Sequence, residues 1–197
     1  MRTIDLSRPI RNGMPVYPGD PQVDLPPDSW WLGIPTHAGT HVDAPAHMLE
    51  GAPALDGLSP DVFTGPAAVL DVSESEKAIG PKQLKDLPQG VDHILLRSGW
   101  DARWGSDEYF YEHPYLTPEG AKVLADSGLL GVGMDFPSPD PMSVTDAHRI
   151  LFGAGMILVE NLCNLSRLPL TGFIFTCLPL NLEGRDGAPC RAVGLLP

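Results

Sequence analysis

Apolar residues in this chain fall in short runs rather than in long helical stripes. Residues 67–72 form one run, and residues 93–97, with Ile94, Leu95 and Leu96 at the centre, form another. Short apolar runs bounded by turn residues read as buried strands. The same reading applies to 129–135, to 156–159 with Glu160 at its end, to 172–178 and to 191–196. Helix signals are fewer. Thr117-Pro118-Glu119 joins a cap residue, a proline suited to the first helical position and an acid in the first turn, and Gly128 is a suitable stop. Pro81 suits the start of a short helix over 81–87. Pro137, Pro139 and Pro141 forbid regular structure until Ser143, which is placed to cap a helix through Phe152. The first thirty residues read as loop-rich, and 14–21 is nearly all turn chemistry. Strands and helices alternate after residue 65, with strands dominant. The pattern predicts one α/β domain over 1–197 with a mixed sheet, curled or double-layered.

Composition narrows the function classes. A chain of 197 residues with 43% hydrophobic content can bury a real core. A formal net charge of -12 argues against a nucleic-acid partner and against an acidic membrane surface. The first residues, Met1-Arg2-Thr3-Ile4-Asp5-Leu6, carry no apolar run of signal-peptide length, and no stretch is long enough to span a membrane. Cys163, Cys177 and Cys190 are too few and too odd in number for a disulfide framework, so a reducing cytoplasm is expected.

The chemistry concentrates in residues 37–47, His-Ala-Gly-Thr-His-Val-Asp-Ala-Pro-Ala-His. His37, His41, Asp43 and His47 all occupy odd positions. On an extended chain, residues two apart share a face, so all four donors project to one side. Imidazole and carboxylate are the ligands that borderline divalent metals prefer. Fully stretched, the segment would span about 33 Å, too far for one ion to bridge. The chain must therefore bend, with Gly39 and Pro45 as the expected places, or the donors must serve two ions close together. Ligands from elsewhere should complete either arrangement. His148, inside the proposed 143–152 helix, and Glu160, at the end of an apolar strand, are the candidates. On spacing alone His148 also suits a solvent-facing position, and Glu160 also suits an ion pair with Arg149 or Arg167. His93 and His113 lack donor neighbours and read as structural or surface residues. Trp30-Trp31 reads as a packed aromatic pair that could instead line a pocket.

The segment from His37 to His47 resembles the HxGTHxDxPxH motif of the cyclase-like metal-dependent hydrolases, a family that includes bacterial kynurenine formamidase and isatin hydrolase. The likeness continues through Tyr17-Pro-Gly-Asp20, through the strand and loop Gly131-Val-Gly-Met-Asp-Phe-Pro-Ser-Pro-Asp140, through Ala147-His148 to Glu160-Asn161-Leu162, and through Asp186-Gly-Ala-Pro-Cys-Arg-Ala192. The resemblance implies a layered β/β/α fold with a partly barrel-like sheet, and a homodimer or homotetramer. It implies two divalent ions per subunit, zinc or manganese, held by His37, His41, Asp43, His148 and Glu160, with Asp43 and Glu160 as bridges. It makes His47 the catalytic histidine and Tyr17 a substrate contact. The implied activity is amide hydrolysis of a small aryl formamide. A cyclic amide, or a polyketide-type cyclase or dehydratase reaction, is the alternative, and an inert metal-binding protein is the last. Two departures bear on substrate: this chain has Tyr17 where formamidases of the family usually carry tryptophan, and His148-Arg149 where their pattern is closer to His-His.

Overall fold

The computed structural model describes residues 1–28, 30–75 and 77–197. In chain order its strands are β1 Arg2–Asp5, β2 His41–Asp43, β3 Thr64–Asp71, β4 Ala78–Ile79, β5 His93–Arg97, β6 Tyr115–Leu116, β7 Gly131–Met134, β8 Ile157–Glu160, β9 Phe173–Thr176, β10 Gly187–Pro189 and β11 Val193–Leu196. Two α-helices, α1 Pro118–Ala125 and α2 Asp146–Gly153, lie among them. Nine strands form one sheet in the order β1-β11-β9-β3-β5-β7-β8-β2-β10, and β4 pairs with β6 separately. The centre, β3-β5-β7-β8, is parallel, and both flanks are antiparallel. The sheet curls into a half-barrel, giving the mixed α/β architecture expected from the sequence.

Alternation along the strands builds a core on each face. Ile94 and Leu96 of β5, Val132 and Met134 of β7 and Leu158 of β8 pack with Ala121, Leu124, Ala147, Leu151 and Phe152 of the two helices. Leu95, Ile157 and Val159 face the other way, into the curl, with Ile4, Val42, Phe173 and Phe175. Period-two alternation therefore assigns each strand residue to the helix side or to the interior of the curl.

The helix signal at Thr117 is realised: its side chain accepts from the Gly120 N–H, and Pro118 opens α1. Two local expectations are corrected. Residues 81–87 do not form a helix; Gln83 N–H and Leu84 N–H close turns on Gly80 and Pro81. Pro88 follows too closely for a helical nucleus to propagate. The loop-rich opening also holds one strand, β1, which pairs with β11. With only Ile4 of that strand well buried, β1 has no apolar run to announce it. Trp30 and Trp31 are not a packed pair; Trp30 is fully exposed, and the Trp31 ring lies over Gly33. Among the described residues, no helix is long and apolar enough to cross a membrane.

Candidate metal centre

The alternation that builds the core also builds the site. Glu160 lies two residues beyond Leu158 on β8 and so falls on the helix side. Strand β2 pairs with β8 so that His41 is opposite Glu160 and Val42 opposite Val159. Val42 and Val159 go into the curl, which turns His41 and Asp43 toward Glu160. Helix α2, packed over the same face, brings His148 in its first turn. Elements far apart in sequence thus converge at one end of the sheet.

The 37–47 segment bends where expected. Gly39 has φ +64, and Pro45 opens a 3-10 turn over Pro45–His47. The bends fold the donors back on themselves: His37 and His41 rings lie 5.1 Å apart, and His37 and His47 rings 4.3 Å apart. Only His41–Asp43 is strand, so the single extended face foreseen for all four donors is replaced by a folded cluster.

His41 Nε2 stands 3.2 Å from Asp43 Oδ1 and 3.4 Å from Glu160 Oε2. His148 Nε2 stands 3.4 Å from Glu160 Oε1. His37 Nδ1 is 2.8 Å from Asp43 Oδ1, and Asp43, His47 and His148 offer atoms within 4.8 Å of one another. Neither Arg149 nor Arg167 pairs with Glu160, whose ion-pair partners are His41 and His148.

These donors fit a divalent cation. His41 Nδ1 donates to the Gly39 carbonyl at 2.9 Å, and His148 Nδ1 donates to Asp140 Oδ2 at 2.7 Å. A neutral imidazole has one N–H, so each Nε2 then turns a bare lone pair toward carboxylate oxygens. That arrangement is repulsive unless a positive charge enters, and an outer acceptor on the far nitrogen is the usual support of a metal-binding histidine. Four atoms bonded tetrahedrally at about 2.0–2.2 Å lie roughly 3.3–3.6 Å from each other, close to the spacings here. Glu160 Oε1 is buried without a hydrogen-bond partner, and a cation would satisfy it.

The electrostatics say the same. Burial alone would lower the pKa of His148, but Asp140 and Glu160 overcome it and push it up to about 10. Burial likewise opposes protonation of His37, and the Asp43 carboxylate raises it to about 9. Burial would raise the Asp43 carboxyl, yet His41 and His37 hold it well below the usual range. The cluster attracts cationic charge, as protons or as metal.

A cavity of about 300 Å³ opens beside the donors. Tyr17, Phe110, Met48 and Val144 line it together with His47, His148 and Glu160. The Tyr17 and Phe110 rings meet edge to face at 5.8 Å, and the Tyr17 hydroxyl reaches Met142 Sδ at 3.2 Å.

Comparison with known proteins fixes the family. The model of the Cyclase family, described as "Putative cyclase", matches residues 4–141. The chain belongs to this family. Kynurenine formamidase of Salinibacter ruber (strain DSM 13855 / M31) is 33% identical, over 98% of this chain and 97% of its own. A solved structure titled a potential metal-dependent hydrolase with cyclase activity superposes with TM-score 0.85 at 28% identity, covering 98% of this chain and 96% of that one. Isatin hydrolase A from Labrenzia aggregata, bound to benzyl benzoate, gives TM-score 0.83 at 25% identity, covering 99% and 93%.

Within this cyclase-family site, three residues escaped selection from the sequence. Asp140 takes both the Ala147 and His148 backbone N–H groups on its carboxylate, at 2.7 and 2.9 Å. It therefore caps α2 in place of Ser143, which adopts φ +65 outside the helix. Asp186 Oδ2 lies 2.8 Å from His47 Nδ1. Asn161 Nδ2 donates to the Gly39 carbonyl, the same oxygen that anchors His41. Asp140 and Asp186 sit within segments that resemble the family, but nothing local marks either as a partner of a particular histidine.

Proposed function

We propose that this protein is an arylformamidase that hydrolyses N-formylkynurenine to kynurenine and formate, as in tryptophan catabolism. The observation that carries the reading is the placement of His47. It lines an aromatic-walled cavity beside the donor cluster, with Asp186 on its Nδ1. Full-length similarity to a kynurenine formamidase supports the substrate class. His37, His41, Asp43, His148 and Glu160 would hold two divalent ions, zinc or manganese. Bound there, such ions supply Lewis acidity, lowering the pKa of water toward neutrality and polarising an amide carbonyl.

The chain supplies the proton path and the fit. Burial would raise the Asp186 carboxyl, but His47 and His37 hold it below its usual value, so it stays an acceptor. His47 Nδ1–H then donates to Asp186, which leaves Nε2 free to take a proton from water and return it to the departing aryl nitrogen. Tyr17 and Phe110 provide flat apolar surface for the aryl ring. The open cavity speaks against an inert structural metal site, whose coordination shell is closed. Similarity to an isatin hydrolase supports a second reading, ring-opening of a cyclic aryl amide at the same site.

The reading further proposes a cytoplasmic homodimer or homotetramer with a small-molecule amide substrate and no nucleic-acid or membrane partner. Three free cysteines and exposed apolar residues such as Trp30 and Leu32 support it. The deciding experiment strips the protein of metal, restores zinc or manganese, and follows products from N-formylkynurenine and from isatin. Metal-dependent release of equal amounts of formate and kynurenine is expected. Faster opening of isatin would transfer the assignment to the second reading, and no turnover of either would reject both.

A further inference from the structure

The Tyr17–Asp20 turn has a charged end that the proton path above does not use. Asp20 N–H donates to the Tyr17 carbonyl at 3.0 Å, Pro18 and Gly19 occupy the two central positions, and Gly19 has φ +101. This is the pattern of a type II turn, in which the third residue must take positive φ. Only glycine does so without strain, and the proline fixes the position before it, so the turn is stiff. Both ends of the turn, Tyr17 and Asp20, line the cavity. The aromatic wall and a carboxylate are thus set a fixed distance apart.

The carboxylates that line the cavity are not equally committed. Asp43 and Glu160 are committed to the histidine cluster. Asp20 is half-buried, and among the described residues its side chain makes no hydrogen bond or ion pair. No lysine or arginine is among the residues that line the cavity. A ligand carboxylate therefore finds no lysine or arginine there, whereas a ligand ammonium finds an unpartnered carboxylate beside an aromatic face. Both features attract a cation.

We infer that Asp20 is a specificity residue that receives an ammonium group on the side arm of an aryl substrate whose ring packs on Tyr17. The inference rests on the arylformamidase reading for the aryl ring, and it adds which part of the arm is recognised. The ammonium is bound by Asp20, and an accompanying carboxylate is left to solvent. Hydrogen bonds to charged groups are worth about 1.5–3 kcal/mol, or roughly 10- to 100-fold in affinity.

The test uses product-like ligands and so does not depend on turnover. Binding to the metal-loaded protein is measured by calorimetry for three 2-aminophenyl ketones: 2-aminoacetophenone with no charged arm, kynuramine with an ammonium arm, and kynurenine with ammonium and carboxylate. Kynuramine and kynurenine should bind at least 10-fold more tightly than 2-aminoacetophenone. Asp20→Asn should collapse that preference to within about 2-fold, and Asp20→Glu should recover part of it. A merely structural role for Asp20 would weaken all three ligands together and overturn the inference. An absent preference in the unaltered protein would also overturn it, as would one that survives Asp20→Asn. Failure to hydrolyse N-formylkynurenine alongside an Asp20-dependent ammonium preference would reject the arylformamidase reading and leave this subsite standing.

Discussion

In the middle of the sheet, β5 and β7 bury Ile94, Leu95, Leu96, Val132 and Met134. At the β8–β2 end, positions almost as deeply buried hold His41, Asp43 and Glu160. Both regions obey the same alternation, and both are closed by α2. The difference lies in what satisfies the side chains. Aliphatic groups in the centre need only packing. Polar groups at the end need charge and hydrogen-bond partners, which the chain supplies only in part.

Histidine shows the contrast within one residue type. His93 starts β5, has Nε2 3.0 Å from the Val62 carbonyl, and burial lowers its pKa. His113 is likewise held by backbone carbonyls and lowered by burial. Both are structural residues, in keeping with their lack of donor neighbours in the sequence. His37 and His148 are also shielded from water, yet neighbouring carboxylates raise them. Burial by itself makes a neutral core histidine, whereas burial together with excess carboxylate makes a cation site.

The largest effects should come from breaking the β2 end. Asp43→Ala should lose metal and activity together. His47→Ala should keep its metal and fold but lose about 10²- to 10⁴-fold in kcat, the usual worth of a general acid–base. Metal analysis and steady-state kinetics on both variants check the division of roles. Loss of metal in His47→Ala would make His47 a ligand, and near-native kcat would place the proton path elsewhere.

A smaller effect is expected from breaking the centre. Leu95→Ala removes a buried side chain that packs into the curl, and should cost about 2–5 kcal/mol of stability. Metal content per folded molecule should not change. Denaturant unfolding with metal analysis of the folded fraction reads both quantities. A loss of metal binding equal to that of Asp43→Ala would show that the two regions are not separable.

The smallest effect sharpens the comparison at the boundary. Asp135 follows β7 and accepts from Ser98 N–H, Ser98 Oγ and Gly99 N–H. Burial outweighs these donors and pushes its carboxyl up from 3.8 to about 6. A folded pKa above the unfolded one favours the protonated form. Its stabilising contribution is therefore full below pH 3.8 and is lost as pH rises through about 6. The unfolding free energy of the unaltered protein should thus decline against Asp135→Asn between those values. A constant difference across the window would show that Asp135 does not titrate there.

Much of this protein is written in local sequence. Short apolar runs announced the central strands, because period-two burial needs only neighbouring residues. Thr117-Pro118 announced α1, because a cap acts within one turn. The donor chemistry of 37–47 and its bends at Gly39 and Pro45 were legible for the same reason. The tertiary structure alone decided the partners. Asp140 rather than Ser143 caps α2 because a loop carries its carboxylate to two free N–H groups. Asp186 meets His47 across 139 residues because β10 pairs with β2, and Glu160 meets His41 because β8 pairs with β2 in that register. Local periodicity sets the face a side chain occupies, whereas its partner across the fold depends on register and packing, which the whole chain settles together.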